Sequence, residues 1–205
     1  MMKRNRKDSR YTLVEIMMVL IVILILVTIG ILVAPLITRQ ASAAKTKALM
    51  GMIENAIEEY KGSALSGGNY PMSPLTCGSK GTQYTPFFLD NYDERVNDED
   101  STANPKNNMM QFFDIAQIEN QRTFSAKANL FCVVDGFGMP FLYMAPGYRM
   151  SGGYDLVSLG ANLLPGTGEI MPESKKEVYE GILPVGDKSA AELGKGDDIA
   201  NFMQK

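Results

Sequence analysis

From Ile16 to Ile37 no side chain carries a charge, a run of 22 residues. As a helix this run is about 33 Å long, against about 30 Å for the hydrocarbon core of a bilayer. Its flanks are uneven. Lys3, Arg4, Arg6, Lys7 and Arg10 precede it against one acid, Asp8, and Arg39 follows it closely. This bias predicts that residues 1–10 stay in the cytoplasm and that the chain beyond about residue 40 is exported. Two organisations satisfy it: a single-span protein with a large outer part, or a secreted protein with a removable signal. The second has a small-residue cleavage site in Ala41–Ala43, with Ala44 as the new start. It also needs an h-region of only about 7–15 residues with no acid, whereas this run is longer and is preceded by Glu15.

Glu15 stands at the lip of the run, one turn past the basic cluster. A carboxylate beside lipid is costly, so it is either a functional group with a partner or a headgroup-zone residue exposed to water.

Composition removes several chemistries. There is no histidine and no tryptophan, which excludes Ser-His-Asp and Cys-His nucleophile pairs and His-based zinc sites. No glycine-rich phosphate loop is present. Removing residues 1–10 takes away five basic residues and one acid, leaving 15 basic against 22 acidic, so the net charge is −7 instead of −3. That balance speaks against a nucleic-acid partner.

Beyond the apolar run the helical pattern continues. Ala41, Ala44, Ala48, Met52, Ala56 and Tyr60 recur every three or four residues, and Leu49, Ile53 and Ile57 widen the stripe. "GSALSGGNYP", residues 62–71, stops it. One helix from about Tyr11 to about Lys61 is expected, kinked at Pro35 and loosened at Gly30. Residues 73–128 give few signals. Their acidic stretch from Phe88 to Asn108 lacks EF-hand spacing and reads as a solvated loop. "MMQFFDIAQIEN", 109–120, reads as a short helix or a strand whose apolar residues fill core. "NLFCVVD" (129–135), "PFLYM" (140–144) and "YDLVSL" (154–159) then read as three consecutive strands of an antiparallel meander. So small a sheet must bury one face, and the outer half of the helix offers the matching stripe.

"YTLVEIMMVLIVILILVTIGI" resembles the N-terminal segment of type IV pilins and type II secretion pseudopilins. Tyr11, Thr12, Leu13, Val14 and Glu15 fill that family's places after its basic leader. Arg10 stands where the family usually has glycine. "DGFGMPFLYMAPG" followed by "GYDLVSLGAN" is similar to the major pseudopilin of type II secretion. "NYP", 69–71, and "GDDIANF", 196–202, resemble that family's segments after the helix and at the C-terminus.

The resemblance implies an α+β, pilin-like fold: a long N-terminal helix, half of it transmembrane, packed against a small antiparallel β-sheet. It implies a cytoplasmic leader, 1–10, cut between Arg10 and Tyr11 by a prepilin peptidase. A transmembrane and assembly helix, 11–40, and an exported globular domain, 41–205, follow. Tyr11 becomes the N-methylated terminus, and Glu15, with Thr12 beside it, serves assembly by pairing with a neighbour's terminal amine. The expected product is a homo-oligomeric helical filament, built on an inner-membrane secretion platform, with no enzymatic activity of its own. A type IV pilus subunit and a membrane-anchored binding domain or enzyme are the alternatives. The family's calcium ion implies ligands at the Leu159 carbonyl, Asn162, Asp197 and Asp198. Asn162 replaces the family's aspartate, and an insertion from Leu163 to Lys195 separates the two parts of the site. Cys77 and Cys132, the only cysteines, lie on the oxidising side. They form either a disulfide or two buried thiols.

Overall fold

The computed structural model describes residues 12–64, 66–71, 83–89, 109–125, 130–167, 183–184 and 190–203. The chain divides into two compact units, one ending at Gln40 and one beginning at Ala41, and helix α1, Leu13–Gly62, contributes to both. In the first unit α1 has a window of mean hydropathy 3.4 with no buried residue. This is a helix long and apolar enough to cross a membrane. The helix continues through Pro35. A proline cannot donate to the helical ladder. One turn on, the Thr38 hydroxyl donates back to the carbonyls of Ala34 (3.3 Å) and Pro35 (3.0 Å).

In the second unit the same helix becomes one-sided. Thr46, Leu49, Met50, Ile53, Ala56, Ile57 and Tyr60 are buried. Their spacing of three and one is that of a stripe on an α-helix. Each large aliphatic side chain in it contributes about 1.5–3 kcal/mol by leaving water. Ser66 receives the helix end, its hydroxyl donating to the Lys61 carbonyl (2.7 Å), and Gly67 and Gly68 reverse the chain at positive φ.

After α1 come β1 (Gln83–Pro86), a 3-10 turn at Met109–Phe112 and α2 (Ile115–Ile118), which is capped by Asp114. The remaining strands are β2 (Arg122–Ser125), β3 (Leu130–Val133), β4 (Leu142–Met144), β5 (Asp155–Ser158), β6 (Leu183–Pro184) and β7 (Ile199–Ala200). Among the described residues the main sheet has the order β6-β1-β4-β5-β7, antiparallel throughout, and β2 pairs with β3 in a separate ribbon.

This corrects the expected meander. The strands at 142–144 and 155–158 do pair, but the strand at 130–133 pairs backward with Arg122–Ser125. Among the described residues it approaches the main sheet through two antiparallel bridges, Val134 with Pro140 and Phe88 with Cys132. The expectation of one buried sheet face also falls short. Tyr143 and Leu156 pack with the α1 stripe. Their neighbours Leu142, Met144 and Val157 pack with Ala190, Leu193 and Ala200. Alternation along the strands supplies both sets.

The turn between β3 and β4 is held against α1. Asp135 Oδ1 accepts from the amides of Phe137 (2.8 Å) and Met139 (2.9 Å), and the Ser158 hydroxyl donates to Oδ2 (2.5 Å). The Gly136 amide donates to the buried Thr46 hydroxyl at 2.9 Å. A Cβ on Gly136 would lie 2.2 Å from the Ser42 carbonyl oxygen, so only glycine allows this approach.

Candidate functional site

Three places bear on the expected chemistry. The first is the start of α1. Thr12 and Glu15 close on one another: Glu15 Oε2 accepts from the Thr12 amide (2.7 Å) and hydroxyl (3.0 Å), and the Glu15 amide donates to the Thr12 hydroxyl (3.3 Å). This reciprocal capping box satisfies donors that would otherwise be orphaned at the helix start. Among the described residues the large apolar side chains from Leu13 to Ile37 are 41–75% exposed. Arg10 and Tyr11 lie outside the described residues.

The second place is the C-terminal loop. Asn162 and Asp197 come together, the Asn162 amide donating to Asp197 Oδ2 at 2.8 Å. Asp198 is 4% exposed, and its Oδ2 accepts from the amides of Gly166 (2.8 Å) and Gly194 (3.0 Å). Its Oδ1 is buried with no hydrogen-bond partner among the described residues. Burial, reinforced by the Asp197 charge and opposed by the two amides, pushes the Asp198 carboxyl up to about 7. The Asn162 side chain is already engaged: Nδ2 donates to the Gly166 carbonyl (2.9 Å), and Oδ1 accepts from the Leu164 amide (2.8 Å). Leu159 is buried. Gly160, at φ +65°, lies so close to the Asp197 carbonyl that a Cβ would stand 2.2 Å from it. The expected ligand residues are therefore neighbours in space despite the insertion. Among the described residues no three Asp, Glu, Cys or His side chains converge as a metal cluster. Glu169, Glu173, Glu177, Glu180 and Asp187 of the insertion lie outside the described residues, as does the acidic stretch 90–108.

The third place is Cys132. It is buried, with its sulfur 3.5 Å from the Thr123 carbonyl, and burial pushes its thiol up to about 11. Cys77 lies outside the described residues.

One polar centre was not anticipated. Asp155 is fully buried, and its Oδ2 accepts from the Tyr84 hydroxyl (2.9 Å) and the Arg149 amide (2.7 Å), while Oδ1 accepts from the Met150 amide (3.0 Å). It anchors the turn that leads into β5. The signal was an aspartate opening a strand directly after a glycine-rich turn. Its partner Tyr84 sits in a stretch that gave few signals.

Models of known families, curated proteins and solved structures were each compared with this chain, and none matches.

Proposed function

We propose that the chain is the structural subunit of a type II secretion pseudopilus, held in the inner membrane with residues 1–10 cytoplasmic and the unit from Ala41 periplasmic. Copies assemble through α1 into a helical filament that drives export on the secretion platform. The observation that carries this reading is the uncovered apolar surface from Leu13 to Ile37, with Glu15 as the acid at its head. In lipid, association of such helices rests on packing and on polar groups that find partners. An amine exposed by cleavage after Arg10 offers Glu15 a partner of opposite charge. In a low dielectric that pair rewards correct register, because half of it alone is costly. The sequence resemblance from Tyr11 to Glu15 and from Asp135 to Asn162 supports the pilin-like, non-enzymatic assignment.

The test is assembly in membranes. Residues 11–40 crosslink between copies, and Glu15→Ala abolishes the crosslinked ladder while the outer unit keeps its near-ultraviolet dichroism. An undiminished ladder in Glu15→Ala would overturn the role of Glu15. N-terminal sequencing reads the processing: Tyr11 as first residue supports the leader, whereas Ala44 points to ordinary secretory cleavage.

The C-terminal loop would hold calcium through the Leu159 carbonyl, Asn162, Asp197 and Asp198. The unpartnered Asp198 Oδ1 supports this, being the atom a hard cation would take. Bound there, calcium ties the C-terminal segment to the end of β5 and adds its binding energy to stability. Thermal unfolding in millimolar calcium and then in chelator measures it. The midpoint falls by several degrees on chelation, and an unchanged midpoint with no heat of binding removes the site.

A further inference from the structure

The exported unit carries a groove of about 370 Å³ that none of the roles above uses. Glu54 and Glu58 of α1 line it together with Tyr70, Met150, Tyr154 and Asn201. The two tyrosine rings meet edge to face at 5.2 Å. Asn201 is fixed at both ends of its amide: Nδ2 donates to the Tyr154 carbonyl (3.0 Å) and Oδ1 accepts from the Leu156 amide (3.0 Å). The groove is therefore built by rigid groups. Burial raises the Glu54 carboxyl, and no cation forms an ion pair with it among the described residues. Lys61, whose charge interacts with Glu58, is engaged with Tyr70, donating to its hydroxyl at 2.8 Å and lying 4.1 Å from its ring centre. A half-buried carboxylate, Glu54, with the exposed Glu58 one turn on and aromatic faces beside them, suits an alkylammonium group.

We propose that this groove takes the Lys45 ammonium of a second copy of this chain. The inference rests on the assembly reading, in which copies stand parallel. Lys45 and Lys47 are both exposed on α1. Helical geometry decides between them. Side-by-side parallel helices related by a screw meet through opposite faces, a heterologous contact that repeats. Lys45 precedes Glu54 by nine residues, which at about 100° per residue places it about 180° around the helix. Lys47 precedes Glu54 by seven residues, about 20° from the same face, so it points away from a neighbour's groove. Lys45 reaches Glu54 or Glu58 when adjacent copies are offset by about 14–20 Å along the helix. A pair in this groove loses less to water and salt than an exposed one, and it sets the offset between copies.

The experiment is zero-length carbodiimide coupling of the full chain in membranes, followed by mass spectrometry. Within one copy, Lys45 and Glu54 lie on opposite sides of α1, so a direct amide between them joins two copies. The expected result is a Lys45–Glu54 or Lys45–Glu58 amide that disappears in Lys45→Gln. Lys45→Glu lowers the assembled fraction about tenfold, and adding Glu54→Lys and Glu58→Lys restores it. Near-ultraviolet dichroism checks that each variant keeps the outer unit folded. Coupling through Lys47 alone, or assembly unchanged by Lys45→Glu, overturns the groove assignment and leaves the assembly reading standing. No association between copies in the unaltered chain overturns both.

Discussion

The two halves of α1 have the same backbone and opposite surroundings. From Leu13 to Ile37 apolar side chains point in every direction, and none is buried. From Thr46 to Tyr60 only one stripe is apolar, and that stripe is buried. The difference sets what each half needs around it. A helix apolar all round needs lipid or other helices on every side. A striped helix needs one partner layer, and here it is the face of the sheet carrying Phe141, Tyr143 and Leu156. Polar side chains mark the change. Thr28 and Thr38 return their hydroxyls to the helix's own carbonyls, whereas the Thr46 hydroxyl also accepts a hydrogen bond from the sheet's turn.

The sharpest test substitutes the same residue type in each half. Ile57 is 0% exposed and Ile25 is 52% exposed. Ile57→Ala should lower the unfolding free energy of the unit from Ala41 by about 2–5 kcal/mol, because it removes packed methylenes and leaves a cavity. Ile25→Ala should change it by less than about 0.5 kcal/mol. Ile25→Lys reverses the ranking. It should oppose membrane insertion by about 3 kcal/mol at mid-helix, while the unit from Ala41 unfolds at its usual denaturant midpoint. Denaturation followed by tyrosine dichroism reads the first effect, and carbonate extraction of membranes reads the second. Equal destabilisation by both alanine variants would erase the distinction between the halves.

A smaller effect is expected where the turn between β3 and β4 meets α1. Gly136→Ala forces a methyl group into the Ser42 carbonyl and should cost about 1–3 kcal/mol. Thr46→Val keeps the volume but removes the acceptor of the Gly136 amide. It should cost a similar 1–3 kcal/mol, roughly the desolvation of one buried donor. If the turn moves as a unit, the double variant costs less than the sum of the two. Strict additivity in the same denaturation assay would show that glycine and threonine act separately.

These sites also mark how far the sequence could be read. The helix was legible over nearly its whole length, because an uncharged run and a 3.6-residue stripe are local patterns. Strands β4 and β5 were legible because Gly and Pro punctuate them. The partner of β3 was not, because pairing 122–125 with 130–133 is a choice among strands that composition does not rank. Strand β1 was hidden as well: "QYTP" is short, ends in proline, and gains its place only from two neighbours far along the chain. The C-terminal loop was partly legible. Asp197 and Asp198 could be named beside Asn162, but not that one carboxylate would lie buried with an unpartnered oxygen. Thr46 carried no signal at all, since its role depends on a glycine 90 residues away.

The smallest expected effect concerns pH at the same turn. Asp135 is 1% exposed. Burial raises its carboxyl above the ordinary value of 3.8, against the opposing pull of the Ser158 hydroxyl and the amides of Met139, Phe137 and Gly138. The folded protein therefore holds this proton more tightly than the unfolded chain. Its contribution to stability is complete below 3.8 and is lost as pH rises through the folded value. Asp198 acts with the same sign, but it is present in both proteins compared here and cancels in their difference. Asp135→Asn removes the titration while keeping a carbonyl for the Phe137 and Met139 amides and an amide able to donate to Ser158. Its cost at neutral pH should be about 1 kcal/mol. Stability should fall less steeply with pH in the variant than in the unaltered chain over the acidic range, as read from urea midpoints at a series of pH values. Parallel pH profiles would mean that hydrogen bonds offset burial and that Asp135 titrates alike in the folded and the unfolded chain.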